Sequence, residues 1–84
     1  MPRNEQRPIV FSGHATERFG DRNITENEAT QILLAGAWRR DGLGRLGEPK
    51  WISEGSFSGR RIQVIFIETT RLDEAILKVL TVMD

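Results

Sequence analysis

The chain has no cysteine, no tyrosine and one histidine, and its formal net charge is zero. Without cysteine there is no disulfide framework and no thiolate metal site. One histidine then leaves too few preferred ligands for zinc. The lack of cysteine fits a reducing cytoplasm. Zero net charge excludes the basic coat of a strong non-specific nucleic-acid binder. Long apolar runs are also missing: the longest, around Val64–Ile67, is far too short to span a bilayer. A soluble, cytoplasmic protein with no membrane partner is expected.

What is present is arginine. Of the 12 basic residues only Lys50 and Lys78 are lysines. The planar guanidinium matches phosphate and carboxylate geometry, so a local anion site stays open despite the neutral total.

The length of 84 residues suits one domain. Residues 1–8 are polar with no apolar stretch behind them, and read as a loose N-terminal arm and not a secretory signal. Residues 9–84 form the domain. Ile9-Val10-Phe11 is a short apolar segment, and Ser12 is an N-cap for a helix over about 13–22. Thr25 and Glu28 form a capping box for a second helix to about Ala35, with Ala29, Ile32 and Leu33 on its buried face. Gly36 falls where a C′ glycine belongs.

Beyond Gly36 the period changes to two. Strands are predicted over 37–41, 50–57, 60–69 and 74–83, with a glycine-rich loop over 42–49 and a hairpin turn at Ser58-Gly59. The last two strands are apolar on both faces and should be central. The expected fold is α+β, with two N-terminal helices on one face of a four-stranded antiparallel sheet.

The first helix carries the chemistry. At 100° per residue, His14, Arg18 and Arg22 lie at about 0°, 40° and 80° around the axis. Ala15 and Phe19 follow on the core side, so the basic column borders the buried face and looks along the helix–sheet rim. One reading is a solvated face neutralised by Glu17 and by an Arg18–Asp21 pair. The other is an anion site: the arginines hold a phosphate beside an imidazole, the side chain suited to proton transfer near neutrality. Arg39, Arg40, Arg45, Arg60 and Arg61 supply further cations. Trp38 and Trp51 could stack bases, although sheet tryptophans are more often core. The loop over 42–47 lacks the lysine-serine end of a P-loop.

Ser12, His14, Arg18, Arg22 and Ile24 at this spacing, then a capped helix, strands and a closing Leu80-Thr81-Val82, resemble domain-of-unknown-function family 4258, a small prokaryotic family. The likeness runs from Phe11 to Val82. It implies a fold similar to the RelE, barnase and colicin-type ribonucleases. Such domains occur in toxin–antitoxin pairs and in polymorphic toxin tails, and are inferred to cut RNA without a metal or other cofactor. At matching positions it nominates His14, Arg18, Arg22 and Thr81.

Two functions are therefore expected in the alternative. The first is a metal-independent endoribonuclease, the toxin of a toxin–antitoxin pair, with RNA as substrate and a small antitoxin as partner. His14 would be its acid/base, Arg18 and Arg22 would bind phosphate, and Thr81 would position the phosphate or the histidine. The second is a non-catalytic protein-binding or regulatory module, such as an antitoxin, an immunity protein or a diverged toxin fold. Thr81 is expected to share a face with Leu77 and Val79 and to point toward the helices.

Overall fold

A computed structural model describes residues 7–84. The expected arm lies mostly outside this range. Its last two residues are tied to the body: Arg7 pairs with Glu68, and the Pro8 carbonyl accepts from the Leu77 N–H at 3.0 Å.

The architecture is α+β, with two helices and one five-stranded mixed sheet. In chain order the elements are β1 (Ile9–Phe11), α1 (Gly13–Arg22), α2 (Glu26–Ala35), β2 (Ala37–Leu43), β3 (Pro49–Phe57), β4 (Arg60–Arg71) and β5 (Glu74–Met83). The sheet order is β1-β5-β4-β3-β2. This corrects the expected four antiparallel strands, because the segment read only as apolar is a strand. β1 lies parallel to β5, with Ile9, Val10 and Phe11 opposite Leu77, Lys78 and Val79. Three residues are too few to display a period of two, so the pattern of the segment was silent.

Local chemistry explains each helix. Ser12 caps α1, its Oγ accepting from the Ala15 N–H at 3.0 Å and donating to the Leu80 carbonyl at 3.1 Å. This double use fixes the start of α1 to β5. Asn23 closes the helix in the left-handed region (φ 55°), which asparagine tolerates better than most side chains. Arg60 then donates to the exposed carbonyls of Arg22 and Asn23 at 2.6 and 2.8 Å. The Thr25/Glu28 capping box forms as expected.

Gly36 follows α2, but not as a left-handed C′ glycine. Its φ of −77° suits any residue, and space is what requires glycine. A Cβ there would meet the Ile32 carbonyl at 2.5 Å, Ser53 Oγ at 2.6 Å and the Glu54 carbonyl at 2.8 Å.

The helices cover one sheet face. Ala15, Phe19, Ile24, Ala29, Ile32 and Leu33 pack on Ile62, Val64, Phe66, Leu77, Val79 and Val82. The only buried polar side chain among the described residues, Ser53, donates to the Ile32 carbonyl at 2.8 Å and so ties β3 to the end of α2. Trp38 and Trp51 belong to this helix-covered side. Trp38 packs edge-on against Phe66 and donates from Nε1 to the Leu33 carbonyl, while Trp51 donates from Nε1 to Glu68. Both are partly buried against the core, with satisfied N–H groups.

The two hairpin turns that flank β4 are two residues long. Ser58-Gly59 joins β3 to β4 with positive φ at both positions (53° and 79°), the geometry of a type I′ turn. Leu72-Asp73 joins β4 to β5 with φ of 51° and 65°. The left-handed region costs a residue like leucine about 1–2 kcal/mol, and Leu72 is 95% exposed, so no packing offsets it. Replacing Leu72-Asp73 by Asn-Gly should raise stability by about 1–2 kcal/mol, read as an increase in the urea midpoint at unchanged m-value.

Candidate functional site

The helix-free face of the sheet carries Ile52, Ile65, Ile67 and Ile76, each only 4–8% exposed. Part of their cover is the β2–β3 loop, which curls over this face. Gly44 comes so near that a Cβ would lie 3.1 Å from Ile67 Cγ2 and 2.6 Å from Glu48 Oε1. The loop is braced by itself: the Gly44 N–H donates to the Glu48 carbonyl at 2.7 Å, and the Leu46 N–H to Glu48 Oε1 at 3.0 Å.

Between this loop, β5 and the start of α1 lies a cleft of about 440 Å³, lined by His14, Arg45, Glu48, Ile67, Lys78 and Leu80 among others. Its position follows from the strand lengths. β1 pairs with β5 only as far as Val79, so beyond that point the β5 edge is open and α1 begins beside it. His14, two residues after the Leu80-bound Ser12, thereby lines a cleft on the helix-free side.

The register of β5 also settles Thr81. Phe66 pairs with Val79 and Ile65 with Thr81, so Leu80 is an extra residue, a bulge. A bulge breaks the alternation. Thr81 shares a face with Ile65 and not with Leu77 and Val79, which corrects the expectation that it points toward the helices. It lies on the same face as the cleft, one residue beyond Leu80.

The basic column of α1 divides. Arg18 Nε lies 3.4 Å from His14 Nε2, and this long hydrogen bond makes Nε2 the acceptor. The expected Arg18–Asp21 pair does not form among the described residues. Arg22 turns the other way, 3.2 Å from Asp84 Oδ1, and Arg60 holds the other carboxylate oxygen at 2.5 Å. Thus His14 and Arg18 are together, while Arg22 belongs to a separate cluster with Arg60 and Asp84.

That cluster has its own signature in pH. The hydrogen bond from Arg60, aided by the charges of Arg60 and Arg22, holds the Asp84 carboxyl below its ordinary value of 3.8. A depressed carboxyl contributes stability above its unfolded pKa and loses it as pH falls through the folded one. Asp84→Asn should therefore lower the thermal midpoint at neutral pH. The gap from wild type should close below about pH 4, a trend that thermal scans between pH 2 and 7 would reveal.

Sequence reasoning missed Arg45 and Lys78 as members of the His14 site. Arg45 was visible only as a loop cation and Lys78 only as a polar residue in an apolar strand. Neither has a carboxylate partner among the described residues, unlike Arg7, Arg22, Lys50, Arg60 and Arg61. A lone lysine on an otherwise apolar strand was the available signal. Arg61 and Glu54 pair farther along the same face, where the hydrogen bonds from Arg61 and Gln63 hold the Glu54 carboxyl below its usual range.

The arrangement defines an α+β protein with a cationic cleft on the open face of its sheet. No helix among the described residues is long and apolar enough to cross a membrane. Comparison with protein-family models, with curated proteins and with solved structures finds no match.

Proposed function

We propose that the cleft binds an RNA phosphate and that the protein is a metal-independent endoribonuclease, toxin-like in the manner of the small prokaryotic family it resembles. The observation that carries this reading is the meeting of His14 with Arg45 and Lys78, two cations without carboxylate partners among the described residues, in one open cleft. The start of α1 borders the same space through Ser12 and His14, and the first N–H groups of a helix favour an anion.

In this mechanism His14 Nε2 accepts the proton of a ribose 2′-hydroxyl. The 2′-oxygen attacks the adjacent phosphorus, and the bond to the 5′-oxygen breaks. The products are a 2′,3′-cyclic phosphate and a 5′-hydroxyl, whose proton comes from solvent in the open cleft. Lys78 and Arg45 bind the phosphate oxygens and stabilise the charge that grows on them. Arg18 orients the imidazole from one turn along α1, a bond that the 2′-hydroxyl displaces on binding. Arg22, committed to Asp84, is assigned to the fold and not to the phosphate. Thr81, on the same face of the sheet as the cleft, is given the role of a positioning residue in this reading.

The alternative is a non-catalytic module that binds an acidic protein partner. Its specific support is that Arg45 and Lys78, which have no carboxylate partner among the described residues, would meet an acidic side chain of a partner as readily as a phosphate. Incubation of purified protein with a labelled RNA in EDTA separates the two. Cleavage that disappears in His14→Ala supports the nuclease, and wild type no faster than that variant leaves the binding module. As a toxin, the wild type should slow bacterial growth when expressed, and a co-expressed antitoxin from a neighbouring gene should relieve it.

A further inference from the structure

The His14 cleft does not end at Lys78. A second cavity of about 280 Å³ continues from it over the same sheet face and shares Leu46, Glu48, Ile67 and Lys78 with it. We infer that this second chamber is a binding subsite for the next nucleotide of a single-stranded RNA, with Lys78 at the junction taking the phosphate between the two. The inference rests on the reading of the first chamber as an RNA site and names the form of its substrate.

The chemistry of the lining supports this occupant. Val10 and the exposed Leu46 give the chamber apolar surface for a base, above a floor closed by the nearly buried Ile67 and Ile76. Thr69, Thr70 and Arg71 supply hydroxyls and a cation at the far end. The order follows from the ladder. Val10 lies opposite Lys78, Lys78 opposite Ile67, and Ile76 opposite Thr69, so residues from three adjacent strands build one continuous floor.

Ile67, Thr69 and Arg71 stand on the same side of β4. At about 3.4 Å per residue the run from Ile67 to Arg71 covers about 14 Å, which leaves room for a further nucleotide beyond the one at His14. Arg71 has no carboxylate partner among the described residues, so its charge is available to a phosphate. The opposite wall is the β2–β3 loop, with Leu46 at its tip 85% exposed and its turn clipped by Glu48.

A duplex could not place its bases on this floor, because they are stacked and paired inside the helix. A single strand, whose bases can be splayed out, can do so. The trough therefore favours unpaired RNA of two or more nucleotides over both duplex RNA and a lone phosphate.

Two ligands test this by NMR titration of the full chain. One is uridine 3′-monophosphate. The other is the 3′-phosphorylated uridine dinucleotide with a 2′-deoxy sugar at the internal linkage, which cannot be cut. Wild type should bind the dinucleotide about tenfold more tightly than the mononucleotide, a difference of about 1.4 kcal/mol. Arg71→Ala should erase that advantage and leave mononucleotide affinity unchanged, whereas Lys78→Ala should weaken both.

Equal affinity for the two ligands in wild type overturns the second subsite, as does an advantage that survives Arg71→Ala. In either case mononucleotide shifts at His14 would leave the first chamber's reading standing. If neither ligand moves any signal, the RNA reading of the whole trough falls.

Discussion

Gly36→Val should cost about 3 kcal/mol or more of folding stability, the upper end of what overpacking does to a core. The three atoms in the way are two backbone carbonyls and the hydroxyl of Ser53, all within 2.8 Å of where Cβ would sit. None is the free end of a flexible chain. Ser53 is completely buried and its hydroxyl is bonded to the Ile32 carbonyl, one of the two that crowd the site. Relief therefore means moving α2 away from β3. That movement would expose Ile32 and Leu33 and leave Ser53 buried without its partner.

A domain of this size has a total stability of about 4–12 kcal/mol. A loss of that order should move the urea midpoint by at least 1 M at unchanged m-value, for an m of about 1–3 kcal/mol/M. Gly20→Ala is the matched control. Nothing lies within 4 Å of a Cβ at Gly20, it sits inside α1, and the change should stabilise by up to about 1 kcal/mol. If the two substitutions had similar effects, close approach would not be the reason for Gly36.

The same residue shows what a sequence conveys and what it withholds. Its place after α2 was legible from the spacing of Ala29, Ile32 and Leu33. Its reason was not, because two of the three atoms that crowd it come from β3, about 17 residues later. Both helices were legible for a local cause: Ser12 and the Thr25/Glu28 box satisfy N–H groups within three residues of themselves. β3, β4 and β5 announced themselves by alternation. β1 could not, since a parallel pairing with residues some 68 positions away leaves no mark on three apolar residues.

The site was half legible for the same physical reason. His14 and Arg18 share a helix, and helical spacing brought them together on paper as it does in the fold. Arg22 had the right spacing too, but Asp84 and Arg60 lie beside the end of α1 and draw it away. Alternation along β5 misplaced Thr81, because the bulge at Leu80 is defined only by the partner strand. Arg45 and Lys78 reach the cleft through a loop fold and a sheet register, both of which are long-range.

His14→Ala should reduce RNA cleavage by about 10²–10⁴-fold, the contribution of a positioned general base, with little effect on stability. The imidazole is exposed at the start of α1, and its one described hydrogen bond, from Arg18, is long. Truncating it removes no core contact and leaves the Ser12 cap intact. Lys78→Ala should act differently. Losing a cation that holds the phosphate in the ground state and the transition state alike raises KM, whereas losing one needed only as charge develops lowers kcat. Lys78 lies between the two chambers, so loss of its charge should raise KM and make KM less sensitive to salt, because one phosphate contact fewer is left for salt to screen. Arg22→Ala should leave both constants near wild type, since its guanidinium is engaged with Asp84, and should instead lower the thermal midpoint. Single-turnover cleavage of one short RNA by the three variants, alongside an RNA with a 2′-deoxy sugar at the cut, decides the matter. An uncut 2′-deoxy substrate and a variant order of His14, Lys78, Arg22 from most to least impaired are the expected results. Cleavage of the 2′-deoxy RNA at the wild-type rate would exclude attack by the 2′-hydroxyl, and with it the role given to His14.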